Sequence, residues 1–424
     1  MLDVKFITEN ADLVKAGAAK KHVNVEIDTL VSLYNERNEK IQKIEQLRAR
    51  QNEVSKQIPD ASDKAPLLEE MGKVKEEIKS LEPAITEIED KIDALALMVP
   101  NPPHHSVPEG KDDSENEVIR THGEKPQFDF TPKDHIELGK NLDIIDIERG
   151  VKSSGARFYY LKGDAALLEF ALVQFVIHKL RNKGFTPVIP PVLVKEEAMY
   201  ATGFFPADRN EIYNVNPEDD DLYLVGTSEV PLTMLHAGEI IEESDFPIRY
   251  AGYSTCFRRE AGSYGKDTAG IIRVHQFNKI EMFSFCHPDK SWDEHELIRE
   301  TEEEIMQELD FHYQVVNICG GDLGAPAAKK YDIEVWIPTQ EKFRELTSCS
   351  NCTDFQSRRS KIRYKDQDGK NLYAHTLNGT AIAVARTLVA IIENYQNADG
   401  SITIPTVLLP WMGGMSKIER KIKK

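Results

Sequence analysis

Four charged side chains in the middle of the chain stand out because their neighbours are apolar. Arg258, Glu260, Arg273 and Glu281 belong to two strand-like runs that flank a polar, glycine-containing loop. Side chains alternate between the two faces of a strand, so these charges are expected to share one face of a sheet. Buried charge without a partner is strongly disfavoured. The pattern is typical of a site for a charged ligand, and an ordinary surface strand is the alternative.

The glycine-rich phosphate loops of many nucleotide-binding proteins are missing from the sequence. AGSYGKD has a Gly-Lys pair but lacks the spacing and the following Ser or Thr of a Walker loop, and its glycines predict a mobile loop. A nucleotide would therefore be bound in another way. Cys349 and Cys352 form a C-x-x-C pair, but structural zinc sites usually contain a second pair. We therefore expect reduced thiols and no zinc.

The elements that would position the charged residues follow Phe130. Short strand-like runs alternate there with amphipathic helices, which predicts an α+β fold with an antiparallel β-sheet flanked by helices. Residues 158–161 are expected to form a strand, and Asp164 is expected to cap the next helix. The run GFTPVIPPVLV is strand-like but holds three prolines, which places it at a sheet edge or an interface.

The first third of the chain predicts two long helices. Apolar residues from Leu67 to Leu95 recur four and three apart, which is the spacing of a coiled-coil seam, and a weaker seam precedes them. The stretch PDASDKAP separates the seams and predicts an antiparallel helical hairpin, in which Pro83 should bend the second helix. Helices of about thirty residues project roughly 45 Å. We interpret this coiled-coil arm as a means of reaching a partner, with dimerisation as the alternative.

The length of the chain predicts more than one domain. At 424 residues it exceeds the size at which a single hydrophobic core usually stops growing. A proline-rich and acidic stretch after the hairpin is interpreted as a linker. The predicted organisation is an arm domain over residues 1–100, a linker over 101–130 and a mixed domain over 131–424.

Composition limits the compartment and the partners. The hydrophobic fraction of 40% and the charged fraction of 29% are near globular averages, and no apolar run reaches the roughly 20 residues of a membrane-spanning helix. Because the N-terminus resembles neither a signal nor a transit peptide, we expect a cytoplasmic protein without a membrane partner. Five cysteines, an odd number, favour reduced thiols over a disulfide framework.

A net charge of −18 argues against attraction of nucleic acid to the whole surface. Any RNA contact must therefore be a local patch. Two basic series could form one, although a solvated helix face is the commoner meaning of such a series. They are Arg37, Lys40, Lys43, Arg48, Arg50 and Lys56 in the arm, and Lys417, Arg420, Lys421, Lys423 and Lys424 in the tail.

Three segments, in order and at plausible spacing, resemble motifs one, two and three of class II aminoacyl-tRNA synthetases. They are Pro191 within GFTPVIPPVLV, the run from Phe257 to Glu260, and LNGTAIAVARTL with Arg386. The segments GTSE, HQFNKIEMF, GDLGAPAAKKYDIEVW and ELTSCSNCTDFQSRR resemble the seryl-tRNA synthetase family of bacterial type in particular. The helical arm also fits that family, so the resemblance covers essentially the whole chain.

The resemblance implies a serine–tRNA ligase with the class II catalytic domain. Such an enzyme activates L-serine with ATP to seryl-adenylate and releases pyrophosphate. It then transfers serine to the 3′ end of tRNA(Ser), and also to tRNA(Sec) where that tRNA is present. The family pattern further implies a cytoplasmic homodimer that binds tRNA across its subunits.

The matching motifs also imply which residues bind ATP and perform the chemistry. Catalytic roles fall on Arg258 and Arg386, because negative charge that develops on phosphate calls for cations, and on Glu345, which is implied to act through Mg²⁺. Mg²⁺ would be held with ATP through Glu345 and Ser348, whose hard oxygen atoms suit that ion. The positions implied for ATP are Arg258, Arg259, Glu260, Val274, Phe277, Glu345, Leu346, Thr347, Ser348 and Arg386.

Serine recognition is implied for a second, overlapping set of positions. The set comprises Thr227, Ser228, Glu229, Arg258, Glu281, Asn378 and Thr380. Thr227 and Glu229 are expected to take the ammonium, and Glu281 and Thr380 to take the hydroxyl. A site built to bond a hydroxyl can reject analogues that lack it by about 10⁴-fold.

The arm is implied to contact tRNA through Arg37, Lys40, Lys43, Arg48 and Arg50. Two alternatives remain beside the ligase. One is a synthetase-like paralogue that loads serine onto a non-tRNA carrier, which the long arm disfavours. The other is a non-catalytic coiled-coil scaffold or RNA-binding module, which the joint presence of Arg258, Glu281, Glu345 and Arg386 disfavours. Threonine or proline specificity does not match the GTSE and ELTSCSNCTDFQSRR segments.

Overall fold

A computed structural model of the chain describes residues 2–219, 221–261, 265 and 267–420. The chain divides into two compact units, Met1–Pro102 and Pro103–Lys424. Gly262, Ser263, Tyr264 and Lys266 of the predicted mobile loop, and Lys421, Lys423 and Lys424 of the basic tail, lie outside the described residues. Within the described ranges, no helix is both long enough and apolar enough to cross a membrane.

The N-terminal unit is helical and contains the predicted hairpin. Its helices are α1 (Val4–Glu9), α2 (Ala11–Lys20), α3 (Ile27–Gln57) and α4 (Ala65–Met98). Helices α3 and α4 pack against each other along the two seams, where Ile44, Val54, Val74 and Ile88 are buried. The break between the helices falls within PDASDKAP and the residues just before it, so the prediction of a two-helix arm is confirmed. Pro83 lies inside α4, which continues beyond it.

Ion pairs within and across the hairpin engage the basic series of the arm. The pairs are Arg37 with Glu89 at 2.7 Å, Lys40 with Glu36 at 3.4 Å, Lys43 with Glu77, Arg48 with Glu82 at 3.2 Å, and Arg50 with Glu70 at 2.6 Å. Pairs that join residues early in α3 to residues late in α4 show that the helices run antiparallel. Exposed ion pairs contribute only about 0–1 kcal/mol each. The five cations therefore form a mixed surface with neighbouring carboxylates.

The second unit is built on a mainly antiparallel sheet of eight strands in the order β1-β11-β12-β13-β16-β10-β9-β4. Among the described strands of this sheet, β4 alone pairs in parallel, with β9, and a separate small sheet contains a second parallel pair, β14 with β8. This arrangement confirms the predicted fold class. The strands of the unit are β1 (Glu117–His122), β2 (Ile145–Asp146), β3 (Tyr160–Leu161), β4 (Thr186–Val188), β5 (Leu193–Lys195), β6 (Asn214–Val215), β7 (Leu222–Leu224), β8 (Ile240–Glu242), β9 (Ile248–Phe257), β10 (Gln276–Cys286), β11 (Tyr313–Asn317), β12 (Lys329–Ile337), β13 (Lys342–Asn351), β14 (Arg363–Lys365), β15 (Asn371–Tyr373), β16 (His375–Ala383), β17 (Ile402–Thr403) and β18 (Lys417–Ile418).

The two edge strands of the large sheet, β4 and β1, lie in segments for which the sequence made specific predictions. The edge strand β4 belongs to GFTPVIPPVLV, as its prolines require. The opposite edge is β1, which lies within the stretch 101–130 that was interpreted as a linker. Every residue of β1 is exposed, so it lacks the buried face that produces a recognisable strand pattern. Its membership of the sheet comes instead from backbone pairing with β11.

Helices cover the faces of the large sheet. Those of this unit are α5 (His135–Asn141), α6 (Ile147–Ser154), α7 (Asp164–Asn182), α8 (Glu196–Thr202), α9 (Glu229–Met234), α10 (Ser291–Glu308), α11 (Phe355–Ser360) and α12 (Val384–Asn394). Gly163, with φ +54°, occupies the N-cap of α7, so the prediction that Asp164 is the cap is wrong. Asp164 is the first helical residue, where its charge still favours the positive end of the helix dipole.

Close packing of α10 fixes which face of the sheet carries the site. A Cβ atom at Gly379 of β16 would lie 2.3 Å from Ile298 and 2.9 Å from Glu302, so only glycine fits there. Its neighbours Asn378 and Thr380 line a cavity. Because side chains alternate along a strand, the cavity lies on the sheet face opposite α10.

Candidate active site

A cavity of about 330 Å³ opens on this face and collects most of the predicted site residues. Strands β10, β13 and β16 supply much of its wall, together with residues that precede α9 and begin α12. The predicted residues that line it are Thr227, Glu229, Arg258, Glu260, Val274, Phe277, Glu281, Glu345, Leu346, Ser348, Asn378, Thr380 and Arg386. Distant parts of the sequence therefore meet in one place.

Strand periodicity explains which residues reach the cavity. On β10 the lining residues are Phe277, Lys279 and Glu281, each two apart. On β13 the pairing register shifts between Thr347 and Glu345, which leaves Leu346 unpaired as a bulge. The bulge lets both Glu345 and Leu346 reach the cavity.

Three predicted residues do not line the cavity. The side chain of Thr347 points to the α10 face, where its hydroxyl donates to Glu302 at 3.2 Å. Ser228 is buried and donates to the carbonyl of Gly252 at 3.3 Å. The backbone amide of Arg259 is bonded to Glu211 at 2.8 Å, outside the cavity wall. The side chains of Thr347 and Ser228 therefore do not reach a ligand bound in the cavity in this conformation.

Arg386 and Glu345 form the charged centre of one part of the cavity. The Nη1 atom of Arg386 donates to the carboxylate of Glu345 at 3.1 Å and to the backbone carbonyl of Glu345 at 2.8 Å. Burial disfavours the ionised carboxylate, but the nearby charges of Arg386, Lys330 and Arg258 outweigh it and lower the pKa of Glu345 to about 2. Glu345 is therefore ionised at neutral pH and available to an additional cation.

Arg258 lies beside the aromatic wall of the cavity. Its guanidinium carbon is 5.4 Å from the centre of the Phe277 ring, and its Nε donates to the carbonyl of Gly226 at 3.2 Å. A guanidinium over a ring face is attracted by the electrons of the ring. Arg258 lines the cavity, and its guanidinium could donate two parallel hydrogen bonds to a phosphate or a carboxylate bound there.

Glu260 lines the cavity from the connection between β9 and β10. It adopts φ +51°, which is uncommon for a residue with a side chain. Its carboxylate is 3.0 Å from Arg273, which also lies 3.7 Å from Asp267. Arg273 thus forms ion pairs with carboxylates from both ends of the turn, although among the described residues its buried Nε has no hydrogen-bond acceptor.

Glu229 is a buried carboxylate whose hydrogen-bond donors, in the part of the chain that the structure describes, are neutral side-chain amides. Its Oε1 atom accepts hydrogen bonds from Gln356 at 2.7 Å and from Asn378 at 3.0 Å. Burial and the neighbouring charge of Glu281 raise the pKa of Glu229 to about 7. The free protein therefore exchanges a proton at this position near neutrality, and a positive ligand group would favour the ionised form.

Glu281 stands opposite Thr380 in the sheet and is paired with a lysine. The hydroxyl of Thr380 donates to Oε2 of Glu281 at 3.3 Å, and Nζ of Lys279 lies 2.5 Å from the same oxygen. Lys279 was not among the predicted site residues. Its position two residues before Glu281 in a strand would have placed it on the same face.

Other lining residues were also missed. Asp322 and Lys330 line the cavity, and Lys330 pairs with the buried Asp332 at 2.9 Å. Gln356 lies behind the wall and reaches Glu229 from α11. Each of these residues belongs to the segments used for the family resemblance, but only the folded chain shows which side chains meet.

Oxygen ligands for a divalent ion are present, whereas thiol ligands are not favoured. Glu345 and Ser348 present a carboxylate and a hydroxyl to the same cavity, and hard oxygen donors of this kind suit Mg²⁺ when phosphate supplies further ligands. No group of three or more His, Cys, Asp or Glu residues suited to a metal occurs among the described residues. Burial raises the pKa of the Cys349 thiol well above its usual range, which opposes the thiolate that zinc requires.

Two protein-family models match the chain, one in the N-terminal unit and one in the second unit. Residues 1–103 match the seryl-tRNA synthetase N-terminal domain. Residues 213–395 match the tRNA synthetase class II core domain (G, H, P, S and T). The second match spans all thirteen predicted residues that line the cavity.

Full-length relatives are similar over nearly the entire chain. A serine–tRNA ligase of Corynebacterium glutamicum is 47% identical and is covered over 97% of both chains. A serine–tRNA ligase of Geobacter sulfurreducens is 45% identical, over 99% of this chain and 100% of the relative. The crystal structure of a seryl-tRNA synthetase from Pyrococcus horikoshii complexed with ATP is 42% identical, with a TM-score of 0.95 over 100% of both chains. A cytoplasmic serine-tRNA ligase from Naegleria fowleri in complex with AMP is 34% identical, with a TM-score of 0.90 over 100% of this chain and 99% of the other.

Proposed function

The chain belongs to the seryl-tRNA synthetase family, and we propose that the cavity described above activates L-serine with ATP before the seryl group is transferred to tRNA(Ser). The enzyme class is an aminoacyl-tRNA ligase. The observation that carries the assignment of the cavity is its charge layout, in which buried carboxylates for an amino acid lie beside arginines for phosphate. A paralogue that loads another carrier is not favoured, because the similarity includes residues 1–103.

In the first step the carboxylate oxygen of serine attacks the α-phosphorus of ATP. A new phosphorus–oxygen bond forms, the bond between the α- and β-phosphates breaks, and pyrophosphate leaves with the electron pair. Arg258 binds the α-phosphate and the serine carboxylate, which stabilises the negative charge that develops between them. Mg²⁺ held with ATP near Glu345 and Ser348 would supply further charge neutralisation.

The adenine end of ATP is assigned to the aromatic wall. The ring of Phe277 offers one stacking surface, and Arg386 packs from the other side while contacting the γ-phosphate. Glu260 and the backbone at Val274 line the cavity nearby, where they can bond the edge of the base. This placement leaves the buried carboxylates Glu229 and Glu281 for serine.

In the second step a ribose hydroxyl at the 3′ end of tRNA attacks the carbonyl carbon of seryl-adenylate. The ester bond to the ribose forms, the bond between the carbonyl carbon and the bridging phosphate oxygen breaks, AMP leaves with the electron pair, and the hydroxyl proton is released. tRNA(Ser) is the acceptor, and tRNA(Sec) is a second acceptor wherever a cell makes it. Contact with tRNA is assigned to the arm, whose cations would exchange neighbouring carboxylates for phosphates.

A homodimer is proposed from an apolar surface on the second unit. Phe170 and Leu167 on α7 are 62% and 49% exposed, and Ile189 next to β4 is 85% exposed. Helix α7 packs against β4, and large apolar side chains exposed on neighbouring elements mark interaction sites. Phe170→Glu should therefore convert a dimer into a monomer in sedimentation velocity, whereas a wild-type monomer would contradict the proposal. Binding of one tRNA across two subunits, in the cytoplasm, belongs to the same proposal.

Serine-dependent ATP–pyrophosphate exchange tests the activation step. The purified chain is assayed with each of the twenty amino acids, with Mg²⁺ present and without tRNA. Exchange with serine alone supports the assignment. Exchange with another amino acid, or none, would overturn it. Charging of tRNA(Ser) is then measured separately, because a carrier-loading paralogue would pass the first assay and fail the second.

A further inference from the structure

Lys279 is a buried cation at the serine end of the cavity. It lies on β10 two residues before Glu281, and both side chains line the cavity. Lys279 is only 5% exposed and Glu281 only 2%. Their Nζ and Oε2 atoms lie 2.5 Å apart. A buried charge requires such a partner, and the pair together carries no net charge.

Thr380 completes a small polar cluster on one oxygen of Glu281. Its hydroxyl donates to Oε2 at 3.3 Å, and Nζ of Lys279 lies 3.5 Å from that hydroxyl. Both partners engage the same oxygen. Among the described residues, no hydrogen bond or ion pair to the other carboxylate oxygen, Oε1, occurs, so Oε1 can accept a hydrogen bond from a ligand hydroxyl while Lys279 and Thr380 hold Oε2.

Glu229 differs from Glu281 in its partners. Gln356 and Asn378, which hold its Oε1 atom, are neutral amides. Within the described residues, no ion pair joins Glu229 to a lysine or an arginine. A ligand ammonium can therefore supply the missing positive charge at Glu229, whereas Lys279 would repel an ammonium placed against Glu281.

We infer that Lys279 is a positioning residue that gives the two carboxylates different tasks. It neutralises and orients Glu281, which then reads the hydroxyl of serine together with Thr380, and it leaves Glu229 to take the ammonium. The inference rests on the proposed activation of serine and adds the residue that sets the orientation of serine in the cavity. Without Lys279 the ammonium would meet two competing carboxylates.

The test compares Lys279→Met with wild type in ATP–pyrophosphate exchange, using the full chain. Lys279→Met should raise the KM for serine by at least about 30-fold, the effect of a loss of about 2 kcal/mol on truncation of one partner of a buried charge pair. The ratio of kcat/KM for serine over alanine should fall, while the KM for ATP stays within about twofold. Lys279→Arg, which keeps the charge, should recover part of the serine preference.

A matched control removes a second, partly buried lysine from the same cavity. Lys330→Met lies beside Glu345 and should raise the KM for ATP without lowering the serine-to-alanine ratio. The double variant Lys279→Met/Glu281→Gln has no unpaired charge, so it keeps the inference testable if the single variant is unstable. In the Glu281→Gln background, the further loss of Lys279 should change the serine KM by less than about threefold.

The pH dependence of kcat/KM for serine distinguishes a positioning role of Lys279 from a purely structural one. Lys279 is among the charges that lower the pKa of Glu229, so Lys279→Met should move the rise in serine kcat/KM with pH to higher pH. An unchanged serine KM and alanine ratio, or equal losses for serine and ATP, would overturn the inference. A wild-type protein without serine-dependent exchange would instead overturn the proposed function.

Discussion

Capture of serine by this cavity should depend on pH through Glu229. The buried carboxyl has a pKa raised from 4.5 to about 7, first by burial and then by the charge of Glu281. Only the ionised form attracts the ammonium of serine. We therefore expect kcat/KM for serine in ATP–pyrophosphate exchange to rise with pH through neutrality and to level off above it.

The magnitude follows from the ionised fraction of the free protein. With a pKa of about 7, Glu229 is about one-tenth ionised at pH 6 and about nine-tenths ionised at pH 8. Because kcat/KM reports the free enzyme, it should fall about tenfold between pH 8 and pH 6. The raised pKa also means that ionised Glu229 costs the fold roughly 3 kcal/mol above pH 7, since the folded state holds a proton that the unfolded state releases above its pKa.

Two variants identify the titrating group. Glu229→Gln should lose most serine activation and flatten the profile, and it should unfold at a higher temperature than wild type at pH 8, where the cost of the buried charge is largest. Asp332→Asn is the matched control, because burial raises the pKa of Asp332 to about 7 as well, although Asp332 pairs with Lys330. The control should keep the tenfold change for serine. A flat wild-type profile, or the same slope in Glu229→Gln, would refute the reasoning.

The remaining predictions address phosphate, RNA and acid stability. Arg258→Ala should lower kcat of serine activation by about 10²–10³-fold, the usual effect of removing one stabilising donor, as pyrophosphate exchange would show; a smaller loss in kcat would remove Arg258 from the reacting phosphate. Deletion of residues 30–96 should abolish charging of tRNA(Ser) but preserve activation, and retained charging would contradict the role of the arm. His295 is buried, which lowers its pKa to about 4, so the stability of its neutral form is lost as the pH falls from about 6.5 towards 4. The melting temperature should fall over this range, and less steeply in His295→Gln.

Strand and helix periodicity made much of this architecture predictable. The heptad seam around Val74 and Ile88 requires a partner helix, and the proline-containing break determines where the chain reverses. Glu281 on β10 was recognisable because a buried strand face cannot hold unpaired charge, whereas Arg258, Glu260 and Arg273 lie in the connection between β9 and β10 and not on the strands themselves. Thirteen of the implied site residues line one cavity because the motifs that carry them fall on adjacent strands and on the helices next to them.

The features that escaped prediction depend on tertiary partners. The exposure of β1 on all its residues hides it from pattern recognition, and its strand forms only because β11 offers an edge. Gly163 is the N-cap of α7 and has a positive φ. The preference of Asp164 for N-cap positions could not show that the helix begins one residue earlier than expected. The pairing of Lys279 with Glu281 could have been predicted from their spacing, but the sequence could not show that, among the described residues, no lysine or arginine forms an ion pair with Glu229.

The pairing of β1 with β11 also affects the order in which the protein can form during synthesis. The arm consists of two neighbouring helices, so its contacts are local and can form as soon as the hairpin has been made. The strand β1 has to wait for a partner that lies roughly 190 residues further along the chain. At about 5–20 residues per second, the ribosome needs roughly 10 to 40 s to supply it. Throughout that interval β1 depends on its charged and polar residues, Glu117, Arg120, Thr121 and His122, to discourage pairing with another nascent chain.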